Sequence, residues 1–268
     1  MQVREWLAAG AGIAALVLVA TVPAATEPVE AAPSYRTNTH TFQDGSKATV
    51  RWDPAQTQVT VRANPNALSK KRRAGAIRDV RTALRHLSNA TGITFSYRGK
   101  TSKIPRRNSW QESMPAEVVI AWTNPSRSAY RTDKLSKANG RWVAGTGGYS
   151  FKGWGHSPYT VKNKKTGDNE TAWRWKGAIG RGFVVLNAQQ DKVFRPGFGR
   201  GVTRGNLLLH ELGHVVGLSH VNNKSSIMYP VIISRSKAGF RGGDLAGLRK
   251  VGRGVGPLNV PSWVWKQI

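Results

Sequence analysis

The sequence predicts an α+β domain that contains five strands and two long helices. Three observations support this class. Two segments repeat apolar residues at helical spacing, and short β-branched runs lie between glycine, asparagine and proline residues. The chain of 268 residues is also long enough to bury one substantial core. The predicted order is strand, helix, three strands, a further strand and a second long helix.

The first strand is predicted from residues 51–52 and 58–62, which follow a turn at Asp44-Gly45. The first long helix is predicted over residues 69–91, because apolar residues recur there every three or four positions while arginines occupy another face. Gly92 follows this segment and favours the end of the helix.

Four further strands are predicted at residues 93–97, 117–122, 143–151 and 182–187. The third strand is almost entirely apolar, which is typical of a strand covered on both faces. The fourth segment contains several glycines, so it is either a strand or a glycine-rich loop. Residues 152–178 are interpreted as an insertion that forms either the wall of a cleft or a surface hairpin.

The second long helix, predicted to begin near Thr203, carries the most informative motif of the chain. His210 and His214 are one helical turn apart, so their ring nitrogens can converge on one metal ion. Glu211 projects beside them and can act as a general base without being a ligand. Gly217 allows a sharp turn that returns His220 as a third ligand.

Met228-Tyr229-Pro230 begins eight residues after the last of these histidines. The extended histidine motif followed by such a turn resembles the metzincin metallopeptidases, and within them the matrixins and matrixin-like bacterial peptidases. The resemblance implies that Met228 forms a floor beneath the three imidazoles, although spacing alone also fits an ordinary core methionine. It also makes Tyr229, Pro230 and Val231 candidate walls of a specificity pocket, with Tyr229 equally suited to the core.

The resemblance implies a metzincin zincin fold, with a mixed, twisted five-stranded sheet. Residues 143–151 would be its antiparallel edge strand, beside which a substrate strand binds. The helix over 69–91 would back the sheet, and residues 245–252 would form the short C-terminal helix. Asp244 would cap this helix or anchor it to its surroundings. The implied activity is hydrolysis of peptide bonds by a zinc-dependent endopeptidase with one catalytic Zn²⁺.

Residues 1–32 are predicted to be a leader, and residues 33–268 a single metallopeptidase domain. Arg4 precedes an apolar run from Trp6 to Val22, and small residues follow it, as in a secretory signal peptide. We expect cleavage between Ala24 and Ala32 and secretion, in preference to a retained membrane anchor. The chain has no cysteine, which excludes disulfides and latency through a cysteine thiolate.

The formal net charge of +27 favours association with polyanions such as cell-wall polymers, or it reflects only a solvated basic surface. No nucleic-acid-binding motif organises the basic residues. No acidic cluster suited to structural Ca²⁺ is present in the sequence, and a monomer is expected. The alternative function is a secreted basic binding protein, for a cell-wall or nucleic-acid polyanion, that keeps a zincin scaffold without proteolysis.

Overall fold

The computed structural model describes residues 15–19, 35–41, 47–53, 58–106, 114–124, 142–256 and 258. Its helices are α1 (Lys70–Thr91), α2 (Arg204–Val215) and α3 (Gly242–Val251). Its strands are β1 (Ala15–Val19), β2 (Arg36–Thr37), β3 (Thr39–Thr41), β4 (Lys47–Thr49), β5 (Arg51–Trp52), β6 (Gln58–Asn64), β7 (Thr94–Lys100), β8 (Val118–Thr123), β9 (Trp142–Lys162), β10 (Asn169–Asn187), β11 (Leu218–Ser219) and β12 (Val231–Ile232).

The central sheet confirms the predicted fold class. Its strands follow the order β12-β1-β9-β10-β8-β6-β7, and β5, which is outside this order, pairs with β10. The strands β6, β7, β8 and β10 are parallel, whereas β9 is antiparallel to β10. These are the five strands that the sequence predicts. The sheet is wider than predicted because β1, β5 and β12 add to it. Residues 51–52 form a strand separate from β6, because they pair with β10, whereas β6 pairs with β7 and β8.

Helix α1 agrees with the predicted helix over residues 69–91. Its buried face includes Ala76, Val80 and Leu84, which belong to the main hydrophobic core. Gly92 ends the helix in the left-handed conformation, with φ of 71°, and its N–H donates to the carbonyl of Ser88. This geometry is the stop that a glycine at this position favours.

Residues 143–178 form most of a long antiparallel hairpin. Strands β9 and β10 pair from Leu186↔Gly145 to Asn169↔Lys162 with register shifts around Ile179, and a turn closes the hairpin at residues 163–168. Residues 143–151 are therefore strand and not a glycine-rich loop. Residues 152–178 belong to the distal part of this hairpin, and the residues around its turn are mostly exposed.

Helix α2 is buried along its whole length. Thr203 is its N-cap, as predicted, and its side chain accepts a hydrogen bond from the N–H of Asn206. At the other end, the indole N–H of Trp52 donates to the carbonyl of Val215 over 3.1 Å. Both ends of the helix are thus fixed by side chains, which holds the residues between them in place.

Most of the predicted leader lies outside the described residues, as does Asp44-Gly45. Residues 15–19 are the exception, because they form β1 at the outer edge of β9. No helix in the described part of the chain has the length and apolar character needed to cross a membrane.

Candidate metal centre

Helix α2 brings His210 and His214 together on one face. The two residues are one turn apart, and their Nε2 atoms are 3.1 Å from each other. His210 is 0% exposed and His214 is 1% exposed, so both imidazoles are removed from bulk water. The helix alone therefore supplies two converging nitrogen donors.

The turn at Gly217 adds His220 to this pair. Gly217 has φ of 100°, and a Cβ at this position would lie 2.4 Å from the carbonyl oxygen of Val50. Only glycine fits such a turn without displacing the backbone. After the turn, the Nε2 atom of His220 lies 3.0 Å from that of His210 and 3.2 Å from that of His214.

Backbone carbonyls orient two of the three rings. The Nδ1–H of His210 donates to the carbonyl of Ile227 over 2.6 Å, and that of His214 donates to the carbonyl of Leu218 over 2.8 Å. Because Nδ1 carries the proton in each neutral ring, Nε2 is left with a free lone pair. These lone pairs point toward the centre of the histidine cluster.

Burial keeps the cluster neutral. It lowers the pKa of His210 well below its usual value, that of His214 to about 3 and that of His220 to about 4. Mutual repulsion of positive charge adds to the effect of burial at His210 and His214. Neutral imidazoles are the form that binds metals.

The three nitrogens fit one zinc ion. Tetrahedral ligands at 2.0–2.1 Å from zinc are about 3.3 Å apart, and the observed separations of 3.0, 3.1 and 3.2 Å are close to this value. Lone pairs at such separations repel one another unless a cation or proton lies between them. Among the residues that the structure describes, His210, His214 and His220 form a group able to hold a metal ion.

Glu211 lies beside the cluster and is fully buried, which is unusual for a carboxylate. It is 0% exposed, and neither Oε1 nor Oε2 has a hydrogen-bond partner among the described residues. Burial raises the pKa of Glu211 well above its usual value, and the nearby backbone N–H of Gly147, which lies outside hydrogen-bonding geometry, opposes this only in part. A buried acid of raised pKa can both accept and return a proton near neutral pH.

Met228 lies beneath the histidine turn. A Cβ added to Gly213 would be 2.4 Å from Sδ of Met228, so the thioether packs directly on helix α2 between the two helical histidines. Met228 is buried, and its carbonyl accepts a hydrogen bond from the N–H of Val221, next to His220. This is the position expected of a floor beneath the cluster, although packing alone would also place a methionine there.

Asp244 connects α3 to the histidine cluster. Its carboxylate accepts hydrogen bonds from the N–H groups of Ile227 and Arg241, at 3.1 Å each, and from the Ser226 hydroxyl. It therefore caps α3 and also anchors the preceding turn. Because the carbonyl of Ile227 accepts from His210, Asp244 anchors the residue whose carbonyl orients this ring. The sequence suggested that Asp244 caps or anchors the C-terminal helix, but it did not indicate a link from Asp244 to His210.

The candidate pocket residues follow Met228 along the chain. Tyr229 and Pro230 are half-buried, whereas Val231 is buried in β12. The backbone of β12 pairs with β1, so Val231 is opposite Leu18. Val231 and its neighbours therefore lie on the opposite side of β1 from β9.

Sequence reasoning missed a buried ion-pair network at the start of α2. Arg204 is 1% exposed and contacts Asp79 at 2.7 Å and Asp191 at 2.8 Å. Asp79 comes from α1, so the network joins the two long helices. The sequence held one indication of this network. Asp79 lies three positions after Ala76 and four before Ala83, so it shares their buried helix face. A lone acid on an apolar helix face indicates a buried partner.

The mixed sheet, the buried helix with its histidine cluster and the methionine turn are the features expected of a zinc metallopeptidase of the metzincin class. Comparison with protein families supports this class, since residues 122–251 match the family model described as Matrixin. The match runs from the end of β8 through α3 and includes the whole cluster. This part of the chain is a matrixin-like metallopeptidase domain. A search of curated proteins found no match.

Proposed function

We propose that the chain is a secreted zinc-dependent endopeptidase. His210, His214 and His220 are its zinc ligands, and Glu211 is its general base. The observation that carries this proposal is the convergence of three neutral Nε2 atoms next to a buried carboxylate without a hydrogen-bond partner in the described structure. The predicted leader over residues 1–32 supports secretion, with residues 33–268 as the catalytic domain.

His210, His214 and His220 would hold a zinc ion here, which would supply Lewis acidity toward a peptide carbonyl and toward water. The three imidazoles hold the ion without adding negative charge, so most of its positive charge stays available. Glu211 accepts a proton at a carboxylate oxygen from the attacking water. It then donates this proton to the nitrogen of the leaving amine, so that the base is restored at the end of the reaction.

The surroundings of Glu211 suit this role. Leu186 lies next to the carboxylate, since a Cβ added to Gly145 would approach both Leu186 and Glu211 within 2.8 Å. An apolar neighbour excludes competing water and keeps the carboxyl pKa raised. We further propose that Tyr229, Pro230 and Val231 line the pocket for a substrate side chain, because they follow the floor residue directly.

The test is Glu211→Gln, which preserves the shape of the side chain and removes its basicity. Turnover of casein should fall by about 10²–10⁴-fold, while bound zinc stays at the wild-type level. The matched control is Glu170→Gln, an exposed glutamate near the tip of the hairpin. Turnover of the purified Glu211→Gln protein at the wild-type rate would contradict the assignment of the base.

A chelator separates this function from that of a basic binding protein on the same scaffold. Treatment with 1,10-phenanthroline should abolish hydrolysis of casein, and added Zn²⁺ should restore it. Binding to polyanions depends on charge alone, so it should resist the chelator and weaken with salt. A preparation that binds polyanions but never hydrolyses protein, with or without zinc, would favour the alternative.

A further inference from the structure

Asn38 forms hydrogen bonds with several other parts of the chain. It lies between β2 and β3 and is 7% exposed. Its backbone N–H donates to the carbonyl of Gly217 over 2.7 Å, and its own carbonyl accepts from the N–H of Val50 over 2.9 Å. Both backbone polar groups of Asn38 are therefore satisfied, and one of them holds the turn at residues 217–220 that follows α2.

The side chain of Asn38 makes two further hydrogen bonds. Its Oδ1 atom accepts from the hydroxyl of Ser219, which is 181 positions away along the chain. Its amide N–H donates to the phenol oxygen of Tyr149. This bond favours the phenolate and so opposes the effect of burial on the pKa of Tyr149. A single buried amide thus connects the turn after α2 to strand β9.

The residues that Asn38 holds in this turn flank Leu218. The carbonyl of Leu218 accepts a hydrogen bond from Nδ1 of His214 over 2.8 Å and so orients that ring. Strand β11, which contains Leu218, also pairs with β2, the strand just before Asn38. His220 comes two residues after Leu218. The backbone that Asn38 fixes therefore carries one proposed zinc ligand and orients another.

Tyr149 links the same amide to the strand that borders the proposed cleft. Side chains of a strand alternate between its two faces, so Tyr149 shares the face of Gly145 and Gly147, which lies against Glu211. Tyr149 is 4% exposed, and its neighbour in β10 is Gly182. A hydrogen bond at Tyr149 therefore ties the position of β9 to that of the turn after α2.

We propose that Asn38 is a positioning residue, which holds the substrate-binding strand β9 in a fixed place relative to the zinc ligands by bonding to both. The inference rests on the proposed endopeptidase function. Asn38 is not a ligand itself and acts through Ser219 and Tyr149. It follows the expected cleavage sites between Ala24 and Ala32, so it stays in the mature chain.

The two side-chain bonds of Asn38 make separate contributions. Removal of a group that orients metal ligands weakens metal binding by at least about 10-fold, so Ser219→Ala should raise the dissociation constant for zinc by about that factor. Tyr149→Phe leaves the bond to Ser219 intact, so its zinc affinity should stay at the wild-type level. Its kcat/KM on casein at saturating zinc should fall by roughly ten-fold, because β9 is held less closely to the catalytic groups. Asn38→Ala should show both losses.

The test measures the dissociation constant for zinc, by competition with a chelator, and kcat/KM at saturating zinc. The matched control is Asn89→Ala, which removes an exposed asparagine from α1 and should match wild type in both quantities. A purely structural role for Asn38 would lower the urea midpoint and leave kcat/KM of the zinc-saturated protein unchanged. The double variant Asn38→Ala and Ser219→Ala should bind zinc no more weakly than Asn38→Ala alone, because both changes remove the same bond.

Amide hydrogen exchange of residues 217–220 in zinc-free protein supplies a measurement that needs no activity. Exchange should be faster in Asn38→Ala than in wild type or in Asn89→Ala. If Asn38→Ala does not fold, Ser219→Ala and Tyr149→Phe separate the two effects in folded protein.

Wild-type zinc affinity and wild-type kcat/KM in Asn38→Ala would overturn the inference, as would additive losses of zinc affinity in the double variant. If wild type and all variants failed to hydrolyse casein, the proposed function would be refuted. The zinc affinities and the exchange rates would still decide whether Asn38 positions the histidine turn.

Discussion

Gly147→Ala tests how closely β9 must approach the catalytic helix. A Cβ at Gly147 would lie 2.2 Å from the carbonyl oxygen of Glu211 and 2.8 Å from its carbonyl carbon. The obstacle is helix backbone, which cannot rotate away as a side chain can. The strand and the helix must therefore separate by on the order of 1 Å to reach an ordinary van der Waals distance.

The cost of this separation follows from its size. Forcing a methyl group into a packed interface destabilises a protein by about 1–3 kcal/mol. A shift of about 1 Å between a substrate-binding strand and a catalytic group lowers kcat/KM by roughly 10²-fold. Gly147→Ala should therefore reduce kcat/KM on casein strongly. Zinc should stay bound, because the added methyl group meets the backbone of Glu211 and not the histidine side chains.

The assay measures kcat/KM, bound zinc and the free energy of urea unfolding for Gly147→Ala. Gly254→Ala is the control, since a Cβ there meets no atom within 4 Å and the residue does not have positive φ. The control should match wild type in all three quantities. If Gly147→Ala also matched wild type in activity and stability, the close approach of β9 to Glu211 would be refuted.

Three further predictions concern residues around the site. Asp244→Ala should weaken zinc binding about 10-fold in equilibrium dialysis, because Ile227, whose carbonyl orients His210, loses the anchor of its N–H. Arg204→Ala should lower the free energy of urea unfolding by about 3–5 kcal/mol, because Asp79 loses its ion-pair partner, whereas Asp191 keeps Arg72. Burial raises the pKa of Tyr149 to about 12, so the folded state favours the neutral phenol. The free energy of unfolding should therefore fall as the pH rises from 10 to 12. Tyr149→Phe should remove the part of this fall that comes from ionisation of the phenol.

Each of these predictions has an outcome that would contradict it. Wild-type zinc affinity in Asp244→Ala would exclude the link through the turn. A loss below 1 kcal/mol in Arg204→Ala would show that the network adds little to stability. Identical unfolding free energies of Tyr149→Phe and wild type across pH 9–11.5 would mean that the buried phenol does not govern alkaline stability.

Local signals account for what the sequence predicted well. The helix over 69–91 was visible because apolar spacing and Gly92 are features of neighbouring residues. Thr203 and Gly217 marked the start of the zinc helix and the turn after it for the same reason. The three histidines meet because one helix and one turn suffice to bring them together. Their role as ligands remains a prediction.

Contacts between distant segments account for what the sequence did not show. The pairing of Ala15 with Gly147 joins residues whose separation no local pattern reports. The apolar run near the N-terminus indicated a leader, and nothing in its composition indicated a strand partner. The approach of Gly147 to the Glu211 backbone and the ion pair of Arg204 with Asp79 likewise depend on tertiary packing.

X-ray absorption spectroscopy of the zinc-loaded protein tests the central claim most directly, namely that His210, His214 and His220 share one ion. The account predicts one zinc per chain with three imidazole nitrogens at roughly 2.0–2.1 Å and one further light ligand. In His220→Ala the shell should lose one imidazole. A wild-type shell with fewer than three imidazoles, or no loss of an imidazole in the variant, would contradict the account.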